Sequence, residues 1–219
     1  MSLDLEACIF DLEGVLVDTA KYHFSAWQRL ADELGVPFGH SDNNQLKGVS
    51  RVDSLEFILN KGDLVLDNDT KVRLMERKND WYLDQVKAMG PDELFPGAVE
   101  FIDELRSAGV GIALGSSSKN APFILKRCGI EDRFDAVIDG NSITFSKPDP
   151  EVFLKGAAAL SADPARTVVF EDAVSGVEAG KNGGFIVVGI GDESILNKAD
   201  FVLAGFQDLS IQKLTDRLS

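Results

Sequence analysis

Apolar residues in this chain follow two different rhythms. The first is a set of short, nearly continuous apolar runs: EACIFD (6–11), VGIALGS (110–116), FDAVID (134–139), TVVFED (167–172), FIVVGI (185–190) and DFVLA (200–204). Dense Val, Ile and Phe over so few positions predicts strands buried on both faces. Helical patterns separate the later runs. Ala98, Phe101, Leu105 and Ala108 recur at spacings of 3, 4 and 3, with Gly109 placed to stop the helix. In KPDPEVFLKGAAAL, Asp149 is placed to cap a helix and Pro150 to occupy its first turn. Strands alternating with helices predict a doubly wound parallel sheet.

The second rhythm fills residues 20 to about 92, where strand signal is scarce. His23, Trp27, Leu30 and Leu34 follow 4, 3, 4 spacing. Val52, Leu55 and Leu59 begin another stripe, and Val72, Met75 and Val86 lie in a longer one. These stripes predict a helical lobe inserted after the first strand. LFPGAVEF (94–101) marks the return to the sheet. The expected organisation is an α/β core formed by 1–17 and 93–219, with a helical insertion over 18–92. No internal repeat or low-complexity tail interrupts it.

Composition narrows the function. The chain has 219 residues, 44% of them hydrophobic, which is enough to bury a sizeable core. Its formal net charge of −14 argues against a nucleic-acid or anionic-membrane partner. An anionic substrate would therefore need its own local cluster of Lys and Arg. Cys8 in an apolar run and Cys128 near a helix end suit buried thiols in a reducing compartment, and no Cys/His cluster has zinc spacing. MSLDLEA at the N-terminus carries no basic region and no long apolar run, so no signal peptide is expected. No run is long enough to span a bilayer. A cytoplasmic monomer is the expectation.

Candidate chemistry gathers where the strands end, the place where open parallel sheets bind ligands. The first strand ends at Asp11, followed by Glu13 and Gly14. The second ends in GSSSKN (115–120), SKPDP (146–150) follows the third, and the fourth ends in FEDAVSG (170–176). Together these supply Asp11, Glu13, Ser116, Lys147, Glu171 and Asp172 at one edge. Carboxylates without His or Cys are hard oxygen ligands and fit Mg²⁺. Ser116 and nearby amides can hold phosphate oxygens, and Lys147 can offset phosphoryl charge. No G-x-G-x-x-G follows the first strand, which argues against a dinucleotide enzyme.

In their order, DLEGVLVDT, GSSSKN, SKPDP and FEDAVSG resemble the four motifs of the haloacid dehalogenase superfamily, and the helical insertion resembles its small cap domain. Within that superfamily, DTAKYHFSAW (18–27), QLKGVSRVDSL (45–55), RKND (77–80) and SSSKNAP (116–122) resemble the β-phosphoglucomutase family. The resemblance implies a HAD-like, Rossmannoid core with an inserted cap, and phosphoryl transfer through a phospho-Asp11 enzyme. It implies Mg²⁺ at Asp11, Glu171, Asp172 and the backbone carbonyl of Glu13. Lys47, Gly48, Ser50 and Arg51 correspond to the segment that grips the distal sugar phosphate. Thr19 and His23 correspond to the hinge pair, Trp27 to a cap aromatic, and Ser118, Lys119 and Asn120 to further substrate contacts. The implied reaction is β-glucose 1-phosphate to glucose 6-phosphate through a glucose 1,6-bisphosphate intermediate.

Asp11 would attack phosphorus in line, and a second acid two positions on would move the sugar hydroxyl proton. Strand side chains alternate, so positions 11 and 13 can face one way. The family pattern has Asp at the second position, and this chain has Glu13. The extra methylene leaves the proton chemistry available and changes the geometry, where about 1 Å can cost on the order of 100-fold in rate. Two alternatives follow: a phosphatase of small phosphorylated metabolites, or a sugar-phosphate binder of low turnover. Plainer structural roles also exist for these residues. Asp11, Ser118, Asn120, Glu171 and Asp172 can cap turns or helices. Glu13, Lys47, Arg51 and Lys147 can be solvated charges, and His23 and Trp27 can be core.

Overall fold

In a computed structural model describing residues 5–218, six parallel strands form one sheet in the order β3-β2-β1-β4-β5-β6. Residues 1–4, where no leader is expected, and residue 219 lie outside the described residues. The strands are β1 (Ala7–Phe10), β2 (Gly111–Gly115), β3 (Ala136–Ile138), β4 (Thr167–Glu171), β5 (Ile186–Ile190) and β6 (Phe201–Leu203). The chain moves outward from β1 to β3, then returns to β4 on β1's other side. The topological switch point therefore lies between β1 and β4. Phe10 is in register with both Leu114 and Phe170, so the chain leaves β1, β2 and β4 at nearly one level.

Alternation along β1 sends side chains to two separate cores. Cys8 and Phe10 pack with α5 (Ala98–Ser107), α6 (Ala121–Cys128) and Leu214 of α9 (Ile211–Arg217). Phe10 stacks on Phe170 at 4.8 Å, with Phe101 edge-on to both. Ile9 faces the opposite side with α7 (Glu151–Leu160) and α8 (Val174–Asn182). These buried apolar faces explain why the strands read as continuous runs rather than alternating ones.

Between β1 and β2 come α1 (Ala20–Leu34), α2 (His40–Gln45), α3 (Arg51–Lys61) and α4 (Asn68–Val86). They bury a third core that includes Trp27, Leu30, Leu55, Ile58 and Leu74. Ser50 caps α3 through the Asp53 amide, and Asp67 caps α4 through the Thr70 amide. The two chain segments joining this lobe to the sheet run side by side. Asp18 N–H donates to Glu93 O (3.1 Å) and Phe95 N–H to Leu16 O (2.9 Å). Tyr22 and Lys21 both donate to the Glu93 carboxylate.

Several sequence expectations are corrected. Val52 and Val72, read as parts of core stripes, are exposed. The buried stripe of α4 runs Leu74, Lys78, Tyr82, Val86, a 4-residue repeat hidden from a hydrophobic pattern because it contains a lysine. Ala108 is exposed, and Ile102 completes the α5 stripe instead. Pro150 precedes α7 rather than occupying its first turn, although Asp149 does accept from the Glu151 amide (2.9 Å). Helix ends blur by a residue or two for this reason. Gly109 behaves as expected, with φ at +77° just beyond α5.

Candidate active site

The carboxyl ends of β1 and β4 bring the acids together. The Asp11 amide donates to Phe170 O (3.0 Å), which anchors Asp11 just past β1. The chain then turns at Gly14, where φ is +92° and a Cβ would lie 2.2 Å from Asp172 Oδ2. Both conformation and space require glycine there. On the other side, a Cβ at Gly176 in the first turn of α8 would sit 1.6 Å from Glu171 Oε1. That missing side chain leaves room for the Glu171 carboxylate beneath the helix.

Lys147 is buried in the loop after β3, over the Phe153 ring. Its Nζ donates to Asp11 Oδ1 (2.6 Å) and Glu171 Oε1 (3.5 Å). Burial alone would push this ammonium down, but the neighbouring carboxylates, Asp11 first, hold it above the ordinary lysine value. Burial raises the Asp11 carboxyl to about 6 against the pull of Lys147. Burial also pushes Glu171 and Asp172 upward. Asp11, Glu171 and Asp172 can each present an oxygen within 4.8 Å of the others. Three mutually repelling buried carboxylates with only lysines beside them fit a small divalent cation such as Mg²⁺. The Glu13 carboxylate is not in this group, so any metal contact of Glu13 falls to its backbone carbonyl.

Glu13 instead turns to the helical lobe. Its Oε1 accepts from Tyr82 Oη (2.6 Å), His23 Nε2 (2.9 Å) and Thr19 Oγ1 (3.1 Å). Lys78 Nζ lies 2.9 Å from His23 Nδ1. An ammonium facing Nδ1 makes that nitrogen the acceptor, so Nε2 carries the proton and donates to Glu13. Burial, aided by Lys78 and Arg51, keeps His23 below its usual value. Burial brings Lys78 down to about 7. Burial would raise Glu13, but His23, Tyr82 and Thr19 outweigh it and hold the carboxyl at about 2. The charge of His23 is the largest of these pulls, ahead of the hydrogen bonds from His23, Tyr82 and Thr19.

Ser116 is buried just past β2. Its amide donates to Ile138 O, and its Oγ accepts from the Ser118 amide (3.2 Å). Ser118 Oγ accepts from the Asn120 amide (3.3 Å), so both hydroxyls brace the loop before α6. Asn120 Nδ2 donates across to Asn79 Oδ1 on α4 (2.9 Å). Lys47 does not stand free: it pairs with Asp172 at 3.0 Å. Ser50 caps α3. Arg51 and Lys119 have no carboxylate partner within ion-pair distance among the described residues. Trp27 is almost wholly buried, with Lys78 4.4 Å from its ring centre, which makes it chiefly a core residue of the lobe.

One cavity of about 1270 Å³ joins these groups. It is lined by every site residue named from the sequence except Glu171, which lies buried beneath its floor. Sequence reasoning did not single out Lys78, Asn79, Tyr82 or Ser117. Ser117 lines the cavity and has a buried hydroxyl without a partner among the described residues. RKND contains two of the four. Tyr82 lies 69 positions from Glu13, and no local pattern links them.

Comparisons with known proteins bear on the family and the fold. The family profile described as haloacid dehalogenase-like hydrolase matches residues 5–184. The chain is 41% identical to a β-phosphoglucomutase from Bacillus subtilis, over 96% of this chain and 94% of that one. It is 32% identical to a phosphorylated carbohydrates phosphatase from Thermotoga maritima, over 82% of each. The crystal structure of a β-phosphoglucomutase from Clostridium difficile superposes with a TM-score of 0.94 at 35% identity, covering 97% and 96% of the two chains.

Proposed function

The chain belongs to the haloacid dehalogenase-like hydrolase family, and from that premise we propose that it transfers a phosphoryl group on a hexose phosphate, converting β-glucose 1-phosphate to glucose 6-phosphate. The observation that carries the mutase reading is the pair of uncommitted cations, Arg51 and Lys119, on the cavity that also contains Asp11 and Lys147. In a chain of net charge −14, cations left without carboxylate partners around one cavity suit a second, non-reacting phosphate. We take residues 18–92 as the mobile cap and the remainder as the core. A cytoplasmic monomer belongs to the same proposal.

Asp11 Oδ attacks phosphorus in line while Lys147 offsets the developing charge. Asp11, Glu171, Asp172 and the Glu13 carbonyl would hold Mg²⁺, which supplies further charge neutralisation and orients the phosphoryl oxygens. Glu13 accepts the proton of the attacking sugar hydroxyl and returns one to the leaving oxygen. At about 2 its carboxyl is a carboxylate in this arrangement and a poor acid. It must leave Tyr82, His23 and Thr19 to meet the substrate, and that release raises its affinity for a proton. Arg51, Lys119 and Asn120 hold the distal phosphate and fix which hydroxyl faces Asp11. Lys47 joins them only by giving up Asp172.

The second reading is a sugar-phosphate phosphatase on the same scaffold, favoured by the Thermotoga relative. Arg51→Ala and Lys119→Ala separate the two. The mutase reading expects KM for the sugar phosphate to rise about 10-fold or more in each. Both readings expect a hydroxylamine-sensitive phosphoryl group on the wild type that Asp11→Asn lacks. Unchanged kinetics in both cation variants would contradict the distal-phosphate role and leave the phosphatase.

A further inference from the structure

Three large apolar side chains that the fold leaves exposed line one cavity. Val52 on α3 is 53% exposed and Val72 on α4 is 46% exposed, both on the helical lobe. Phe145, on the core loop after β3, is 62% exposed. All three line the cavity that contains Asp11 and Lys147, so the two lobes carry apolar groups toward the same space. Scattered exposed apolar residues need no explanation, but a group gathered from both sides of a reactive cleft does.

Phe145 is also held in place. Its amide and that of Thr144 both donate to Glu151 Oε2, at 2.7 and 2.8 Å. Two residues later, Lys147 is fixed on Asp11. The ring is thus presented on a braced loop rather than on a free one. The lobes are joined covalently only through the paired segments around 16–18 and 93–95, and across the cleft they are bridged by the side-chain contacts Asn120–Asn79 and Lys47–Asp172, which any further closure would rearrange.

We propose that Phe145, Val52 and Val72 form an apolar seam that meets when the lobes close on bound sugar phosphate, and that Phe145 is the positioning residue that keeps bulk water from phosphorylated Asp11. This rests on the mutase reading above. In productive transfer the Asp11 oxygen–phosphorus bond breaks, a bond from the sugar oxygen to phosphorus forms, and the hydroxyl proton goes to Glu13. If water enters instead, its oxygen takes the phosphoryl group, its proton goes to the same base, and inorganic phosphate leaves. The two outcomes share every step but the acceptor, so an incomplete seal changes the product ratio before it changes the chemistry.

The test is the ratio of free phosphate to glucose 6-phosphate formed from β-glucose 1-phosphate, with Mg²⁺ and a trace of glucose 1,6-bisphosphate, in wild type, Phe145→Ser, Phe145→Leu and Val72→Ser. The seam predicts a ratio several-fold higher in Phe145→Ser, restored toward wild type in Phe145→Leu, and raised again in Val72→Ser. Melting temperatures should barely move, because all the altered side chains are about half exposed or more. A wild-type ratio in Phe145→Ser, beside a wild type that does make glucose 6-phosphate, overturns the seam alone. A wild type that yields only phosphate overturns the mutase reading and the seam with it.

Discussion

Glu13 carries the residue-scale question, because one added methylene changes what the carboxylate reaches. In this arrangement it meets three donors from the helical lobe, and Tyr82 makes the shortest contact. Tyr82→Phe removes that donor. The Glu13 carboxyl should then rise from about 2 toward its ordinary value, read by ¹³C NMR titration of the side-chain carboxyl. The sign for stability follows. A carboxyl depressed in the folded state stabilises above its unfolded value, near 4.3, and that contribution is lost as pH falls toward 2. Acid unfolding of Tyr82→Phe should therefore begin at higher pH than in wild type, and an unshifted acid midpoint would count against the contact. Asp11, Glu13 and Lys147 were legible in the sequence because their motifs sit at strand ends. The Glu13 clamp was not, because Tyr82 and Lys78 reach it through tertiary packing of α4.

At the scale of elements, the start of α8 and the buried stripe of α4 each make a checkable demand. Gly176→Ala would drive a methyl into the fully buried Glu171 carboxylate, to 1.6 Å from Oε1 and 2.1 Å from Cδ. Mg²⁺ affinity should fall at least about 10-fold, with roughly 2–4 kcal/mol of stability lost, measured by titration calorimetry and urea unfolding. Retained affinity would mean that Glu171 does not hold the metal. In α4, Lys78 sits at about 7 instead of near 10.5. Between those values the unfolded chain binds the proton that the folded chain has released. Stability therefore rises as pH climbs from 7 to 10.5, and the penalty is full below 7. Lys78→Met should be stabilised relative to wild type most at pH 6 and least near pH 10, by thermal melts across that range. A constant difference would contradict the buried, depressed ammonium. The strands and the inserted helices were legible from apolar rhythm alone. The α4 stripe was not, since a lysine and a tyrosine occupy its centre, and Val52 and Val72 matched helical spacing while facing the cleft.

For the whole molecule, the doubly wound sheet and the helical insertion followed from the sequence because strand and helix periods differ so plainly. The way the lobes face each other did not. The Lys47–Asp172 pair spans 125 residues and joins a residue assigned to phosphate binding with one assigned to the metal. A bound cation stabilises the folded chain alone, so Mg²⁺ at about 100 times its Kd should add roughly 2.7 kcal/mol, or about 5–10 °C in Tm. Asp172→Asn should abolish most of that gain. An equal rise in that variant would place the metal elsewhere.

In the proposed reaction this architecture moves phosphate between sugar hydroxyls with Glu13 in the proton-carrying position. Its most direct measurement is turnover of β-glucose 1-phosphate with Mg²⁺ and a trace of glucose 1,6-bisphosphate, following glucose 6-phosphate and free phosphate separately, in wild type, Glu13→Asp and Glu13→Gln. Glucose 6-phosphate should be the main wild-type product, and Glu13→Gln should lose on the order of 100-fold or more in kcat. Glucose 6-phosphate absent from the wild type, or undiminished in Glu13→Gln, would contradict this reaction.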